Sequence, residues 1–354
     1  MNFLAKSLSY QMSIHKVSIS EFISLSASLS VFDVRSPGEY HHAHFPKAHH
    51  LPLFTDEERK IVGTSYKHQG KQRAIKLGVD FFGSKMKKMI EDVEEIQKSS
   101  TSNKMLVHCW RGGMRSAGVA WLLDLYGFEV YLLQGGYKAF RNWVLEQFEK
   151  SYSIKVLGGY TGSGKTEILQ SLKGGQEKVI DLEGLANHKG SAFGGIGQDP
   201  QPSQEMFENK LALQLFTHSN KFWLEDESQR IGRVNIPHSL WKTIRKSPLF
   251  FIDIPFEERL KYIENHYGKL DRLKLIEAVV RIEKRLGPLE TKTTIQLIQE
   301  NNIQEAFTIL LKYYDKTYSK ALYSREGINS LLHNITAEST SVESNKNKIL
   351  YTIK

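Results

Sequence analysis

Ile154-Lys155-Val156-Leu157-Gly158-Gly159-Tyr160-Thr161-Gly162-Ser163-Gly164-Lys165-Thr166 decides the fold of the larger part of this 354-residue chain. An apolar run ends in a glycine-rich loop, and the helix-compatible Glu167-Ile168-Leu169-Gln170-Ser171-Leu172 follows. Gly159, Gly164, Lys165 and Thr166 stand in register with the P-loop pattern G-x-x-x-x-G-K-[ST], with Gly162 between them. Strand, loop and helix in that order form a phosphate cradle. Glycines let backbone N–H groups close on a diphosphate, Lys165 brings a point charge, and the Thr166 hydroxyl can ligate Mg²⁺.

A metal at such a loop needs a carboxylate. Phe222-Trp223-Leu224-Glu225-Asp226-Glu227 is an apolar strand running into three acids, any one of which could hold Mg²⁺ with Thr166, Glu225 and Asp226 being favoured over Glu227 and a solvated acidic turn being the alternative. Asp181 and Glu183 stand second in line, after the apolar stretch 178–180. Outward from the loop, strands are expected at 154–157, 178–182, 221–224 and 249–254 with helical stretches between them. That alternation predicts a mostly parallel α/β sheet covered by helices. Beyond Pro255 the pattern turns helical, at 257–266, 270–286 and 303–319. The expected P-loop NTPase-like domain covers 152–334 with this helical C-terminal extension, and 335–354, rich in Ser, Thr and Asn, reads as a loosely structured tail.

Upstream, the single cysteine sits in His108-Cys109-Trp110-Arg111-Gly112-Gly113-Met114-Arg115-Ser116, directly after the apolar Met105-Leu106-Val107. A free cysteine is most often a small buried hydrophobe. Here a glycine pair and two arginines follow it, then a helix expected over 117–126 with Gly127 as its cap. Loop amides, a helix N-terminus and guanidinium groups all favour a thiolate, which makes Cys109 the expected nucleophile and Arg111 and Arg115 its anion-holding partners.

The region 17–143 resembles the rhodanese domain, a sulfurtransferase module. Ser18-Ile19-Ser20-Glu21-Phe22, Val31-Phe32-Asp33-Val34-Arg35-Ser36-Pro37-Gly38-Glu39-Tyr40, the cysteine loop and Val130-Tyr131-Leu132-Leu133-Gln134-Gly135-Gly136-Tyr137 carry the resemblance. His44-Phe45-Pro46-Lys47-Ala48 lacks the glycines usual in that family's turn. The expected rhodanese-like domain spans 14–145. Cys109 and Arg115 enclose five residues, a loop longer than that of many rhodaneses. Cys-x5-Arg after His is equally the pattern of cysteine-dependent phosphatases, so the loop suits a phosphoryl group or a chalcogen bulkier than sulfur.

Lys and Arg number 48 against 39 Asp and Glu, a net charge of +9 that suits an anionic macromolecule. Arg230, Arg233, Lys242 and Arg245, beside Trp241, are the candidate RNA contacts, and Arg281, Lys284 and Arg285 share a helical face. For any one of these clusters an ordinary solvated face is the alternative reading. No apolar run approaches the roughly 18 residues of a membrane helix, and the N-terminal segment, interrupted by Ser7, Ser9, Gln11 and Ser13, does not read as a secretory signal. One cysteine excludes an internal disulfide framework, and a reducing cytoplasm is the expected compartment.

With both loops in one chain, residues 13–325 resemble the tRNA 2-selenouridine synthase family. Asp181-Leu182-Glu183-Gly184-Leu185-Ala186-Asn187-His188-Lys189-Gly190-Ser191-Ala192-Phe193-Gly194 and Trp223-Leu224-Glu225-Asp226-Glu227-Ser228 carry this resemblance beyond the two loops. It implies a transferase that converts wobble 2-thiouridine of tRNA to 2-selenouridine. Geranyl diphosphate would alkylate the sulfur at the P-loop. Selenophosphate would then supply selenium through a Cys109 perselenide held by Arg111, Arg115 and loop amides. No tightly bound cofactor beyond Mg²⁺, no membrane and no obligate protein partner are expected. A cysteine-dependent phosphatase fused to a P-loop ATPase or kinase-like domain is the alternative, and a non-enzymatic RNA-binding protein is disfavoured by the intact Cys109, Lys165 and Thr166.

Overall fold

A computed structural model describes residues 13–98, 100, 102–218, 221–268 and 270–353. The N-terminal stretch 1–12, where most of the segment tested for a secretory signal falls, lies outside them. The chain divides into two compact units, Met1–Leu145 and Glu146–Lys354.

The first unit is built on five parallel strands, β1 (Ile14–Val17), β2 (Ser30–Asp33), β3 (His49–His50), β4 (Lys104–His108) and β5 (Glu129–Leu133), in the order β1-β5-β4-β2-β3. Its core packs Phe32, Val34, Met105 and Val107 of the sheet against Val119, Leu122 and Leu123 of the helix Met114–Tyr126. That helix begins three residues before the expected start, so the cysteine loop runs straight into its first turn, and Gly127 ends it in the left-handed region at φ 115°. β4 is the middle strand, which sets Cys109 at the centre of the sheet's carboxyl edge.

The second unit has four parallel strands, β6 (Ser153–Gly159), β7 (Lys221–Glu225), β10 (Leu249–Asp253) and β11 (Leu332–Thr336), in the order β11-β10-β6-β7. A separate antiparallel pair, β8 (Arg230–Ile231) and β9 (Val234–Asn235), forms a hairpin after β7. Parallel strands buried on both faces require continuous apolar runs, which β6, β7 and β10 supply. The strand expected at 178–182 reduces to a single bridge, Val179 to Trp223, because Asp181 caps a short helix, Leu182–Ala186, by accepting the Gly184 N–H at 2.8 Å. The helix expected over 270–286 breaks into Arg272–Arg281 and Glu283–Leu286. These pack with Pro288–Gln299 and Ile303–Tyr323 around Leu275, Val279, Phe307 and Leu310.

The tail is a correction to the sequence reading. Residues 332–336 add the edge strand β11 to β10, and Val342–Thr352 is a helix against the P-loop helix Lys165–Lys173. Polar composition hid an apolar stripe, Val342, Ile349, Leu350 and Ile353, that joins Leu169, Leu172 and Ile335 in one core. Ile349 is fully buried, so Ile349→Ala is expected to lower unfolding stability by about 2–5 kcal/mol in denaturant titrations. A loosely attached tail would give a change near zero.

Candidate active sites of the two units

In the first unit the thiol of Cys109 is 3 % exposed and accepts a hydrogen bond from Ser116 Oγ at 3.2 Å. Burial pushes this thiol up. The Ser116 hydroxyl, the Arg115 charge and the N–H groups of Ser116 and Arg111 outweigh it and hold the thiol below its ordinary value. The loop is locked from outside by the turn after β5. Gly112 has φ 65°, and a Cβ there would stand 2.6 Å from the Leu133 carbonyl oxygen. A Cβ on Gly136, at φ 60°, would collide with the Cys109 carbonyl, and the next N–H, of Tyr137, donates to that carbonyl at 2.8 Å.

Beneath the loop lies a buried charged layer. Arg35 donates to Asp33 at 2.6 Å and its guanidinium sits 3.7 Å from the Tyr137 ring centroid. Burial pushes the His108 imidazole down, and its Nδ1 lies 3.8 Å from the Asp33 carboxylate. Arg111 is exposed beside the thiol. Arg115, expected as a second anion contact, is ion-paired to Glu39 at 2.8 Å, with Arg59 3.0 Å from the same carboxylate. Arg115 therefore acts on the thiol as a fixed positive charge. Because Ser116 donates to the sulfur, Ser116→Ala is expected to move the midpoint of thiolate formation up in pH. Thiolate absorbance against pH reads this directly in a chain with one cysteine, and an unchanged midpoint would refute it.

In the second unit Gly162 and Gly164 take φ 85° and 68°, and a Cβ on Gly162 would stand 2.8 Å from the Arg259 carbonyl oxygen. Arg259 anchors this loop from below: buried, it donates to the Thr161 carbonyl at 3.1 Å and pairs through both terminal nitrogens with Asp315 at 2.9 and 2.8 Å. Lys165 Nζ donates to the Gly159 carbonyl at 3.0 Å and lies 3.5 Å from Glu225. Thr166 Oγ1 donates to Glu225 at 3.2 Å and to Glu183 at 3.3 Å.

Glu183, Glu225 and Glu227 bring carboxylate oxygens within 4.8 Å of one another. Burial pushes Glu183 up to about 10 with the charges of Glu225 and Glu227 adding to it, and burial also raises Glu227, to about 8. Three crowded acids facing one lysine are an incomplete charge set. Hard oxygen donors, with the Thr166 hydroxyl beside them, fit Mg²⁺. Asp226, an expected ligand, is not among them. Successive residues at a strand end point to different sides, so Glu225 and Glu227 gather with Glu183 while Asp226 lines another part of the same cavity. There it accepts from Tyr318 at 2.6 Å and pairs with Arg325. Period-two alternation could have separated these acids in the sequence; of the second-line candidates Glu183 joins the cluster, while Asp181 caps the short helix Leu182–Ala186.

Beside the P-loop opens a cavity of about 570 Å³. Phe193, from a turn, and Ile263, Phe307, Leu310, Leu311 and Tyr314, from helices far along the chain, give it an apolar wall. Of the candidate RNA contacts, Arg230 and Arg233 are exposed on the β8–β9 hairpin and Lys242 is exposed on the helix His238–Arg245. Arg245 instead lines the cavity. Among the described residues no helix is long and apolar enough to cross a membrane.

A thiol loop on one parallel sheet and a P-loop with an acidic cluster on another give the chain the two candidate sites of a two-unit enzyme. The rhodanese-like domain model matches residues 18–142, and the model described as tRNA 2-selenouridine synthase AAA domain matches residues 152–342. The chain belongs to the tRNA 2-selenouridine synthase family. The proteins of that name from Sulfurovum sp. (strain NBC37-1) and Shewanella frigidimarina are 36 % and 34 % identical to it, covering 83 % and 80 % of this chain and 87 % and 83 % of their own. The one from Shewanella denitrificans is 38 % identical over 70 % of this chain and 69 % of its own.

Proposed function

We propose that the chain exchanges the sulfur of wobble 2-thiouridine in tRNA for selenium, in two steps that use one unit each. The family supports the overall reaction. The cavity carries the choice of first substrate. Its phosphate cradle adjoins an apolar wall, and a volume of about 570 Å³ falls within the roughly 300–1,000 Å³ of small-molecule sites. A prenyl chain gains about 0.8 kcal/mol for each CH₂ buried there, which supplies several kcal/mol toward binding geranyl diphosphate.

The loop amides and Lys165 hold the diphosphate, while Glu183, Glu225, Glu227 and Thr166 are the residues that would hold Mg²⁺. When bound, the ion neutralises charge on the leaving diphosphate. The thiouridine sulfur attacks the allylic carbon: a C–S bond forms, the C–O bond breaks, and the diphosphate leaves with the electron pair. The base then loses its N3 proton to water. Alkylation has turned a poor leaving sulfur into a good one.

In selenophosphate, selenium already stands at the selenide level. A Cys109 perselenide therefore requires a two-electron acceptor as co-reactant, whereas attack of the Cys109 thiolate on phosphorus requires none. In that second form an S–P bond forms, the P–Se bond breaks, selenide leaves with its electrons, and water later releases phosphate from sulfur. The Cys-x5-Arg loop length supports phosphorus attack. Selenide adds to C2 of the alkylated base and expels geranylthiol. Mass spectrometry of nucleosides tests the whole reading, using 2-thiouridine-containing tRNA with the protein, geranyl diphosphate, Mg²⁺ and selenophosphate. A 2-selenouridine product supports it, and unchanged 2-thiouridine overturns it.

A further inference from the structure

Part of the P-loop cavity is lined by groups with no share in holding diphosphate, metal or prenyl chain: Gln229, Trp241, Arg245 and Ser324. Trp241 is half-buried on the helix His238–Arg245, and its indole Nε1 is buried without a hydrogen-bond partner. The Arg245 guanidinium lies 5.6 Å from the Trp241 ring centroid and is fixed by the Ala321 carbonyl at 3.1 Å and Ser324 Oγ at 3.2 Å. The Gln229 amide reaches its neighbours, the Ile236 carbonyl and His238 Nδ1, only at 3.5 and 3.4 Å, so it retains capacity for a better partner.

A planar aromatic surface, an unpaired N–H, a fixed guanidinium and a loosely engaged amide together suit a flat heterocycle with polar edges. Aromatic stacking plus edge hydrogen bonds is how unstacked bases of single-stranded RNA are held. We propose that this part of the cavity seats the target base itself, extruded from the RNA onto Trp241, so that its sulfur meets the prenyl carbon inside the same cavity. Enzymes that do chemistry on a base commonly take it out of the stack in this way. The segments that supply Gln229 and Trp241 also carry positive charge. The Ile236 N–H closes the base of the β8–β9 hairpin on the Gln229 carbonyl at 2.8 Å, and Arg230, Arg233, Lys242 and Lys246 are exposed on that hairpin and along and just after the helix.

This assignment rests on the reading of the cavity as the alkylation site, and the test separates the two. With the full chain, saturating geranyl diphosphate and an anticodon stem-loop RNA carrying 2-thiouridine, Trp241→Ala is expected to raise the RNA KM about tenfold or more. Calorimetric affinity for geranyl diphosphate should stay unchanged, and Trp241→Phe should restore most of the RNA KM. A wild-type RNA KM in Trp241→Ala overturns the proposal. So does a parallel loss of geranyl diphosphate affinity, which would make Trp241 a wall of that site, or weakened ATP binding with unchanged RNA kinetics, which would make it a nucleotide's base site. If the wild-type protein forms no alkylated nucleoside, the alkylation reading fails by itself. Fluorescence anisotropy then decides the base seat: a tenfold weaker hold on 2-thiouridine RNA in Trp241→Ala supports it, and equal affinity overturns it.

Discussion

Cys109→Ser is expected to accumulate S-geranylated tRNA and to make no 2-selenouridine. On the proposed division of labour the two units carry different steps, and the P-loop site contains no cysteine, so alkylation is expected at the wild-type rate. A serine hydroxyl is a far weaker acid than a thiol: the Ser116 hydroxyl, the Arg115 charge and two backbone amides that lower the Cys109 thiol against burial cannot bring an alcohol into range. Selenium incorporation is expected to fall on the order of 10³-fold or more, the scale at which loss of a covalent nucleophile registers. Nucleoside mass spectrometry with geranyl diphosphate and selenophosphate present measures both products in one sample. Equal loss of both would refute the division of labour.

Lys165→Ala stops the sequence one step earlier. Lys165 is the loop's own cation, held over the cradle by the Gly159 carbonyl and close to Glu225. Without it, charge developing on the departing diphosphate loses a preorganised partner, and the alkylation rate is expected to drop about 10²–10³-fold. 2-Selenouridine disappears too, because its precursor is missing. The discriminating measurement supplies RNA that is already S-geranylated. Lys165→Ala should convert it to 2-selenouridine at the wild-type rate, and failure to do so would place Lys165 in the selenium step as well.

Both loops were legible in the sequence because each is contiguous. Gly159 to Thr166 and Cys109 to Arg115 carry their chemistry within a few residues, and flanking apolar runs announce the strands that present them. What escaped was assembled from a distance. Arg259 meets Asp315 across 56 positions, and the apolar wall gathers Phe193, Ile263 and Phe307 from separate segments, whereas Glu183, a second-line candidate in the sequence, reaches Thr166 through the fold. Asp226 was misread because adjacency in sequence was taken for adjacency in space, where a strand end sends neighbours to opposite sides. The tail was misread because composition was weighed over spacing: Val342, Ile349, Leu350 and Ile353 are few but lie on one face.

Strand order bears on how the chain matures during translation. The first unit's sheet is complete once β5 has been made, and domains generally fold as units, N-terminal first. The second sheet gains its last strand from residues 332–336, and its P-loop helix gains a covering helix only at 342–352. At about 5–20 residues per second, the roughly 200 residues between these events take about 10–40 s. During that interval a ribosome-bound chain has a finished thiol loop and an unfinished phosphate cradle, so under the proposed two-step order the nascent enzyme gains its second chemistry before its first.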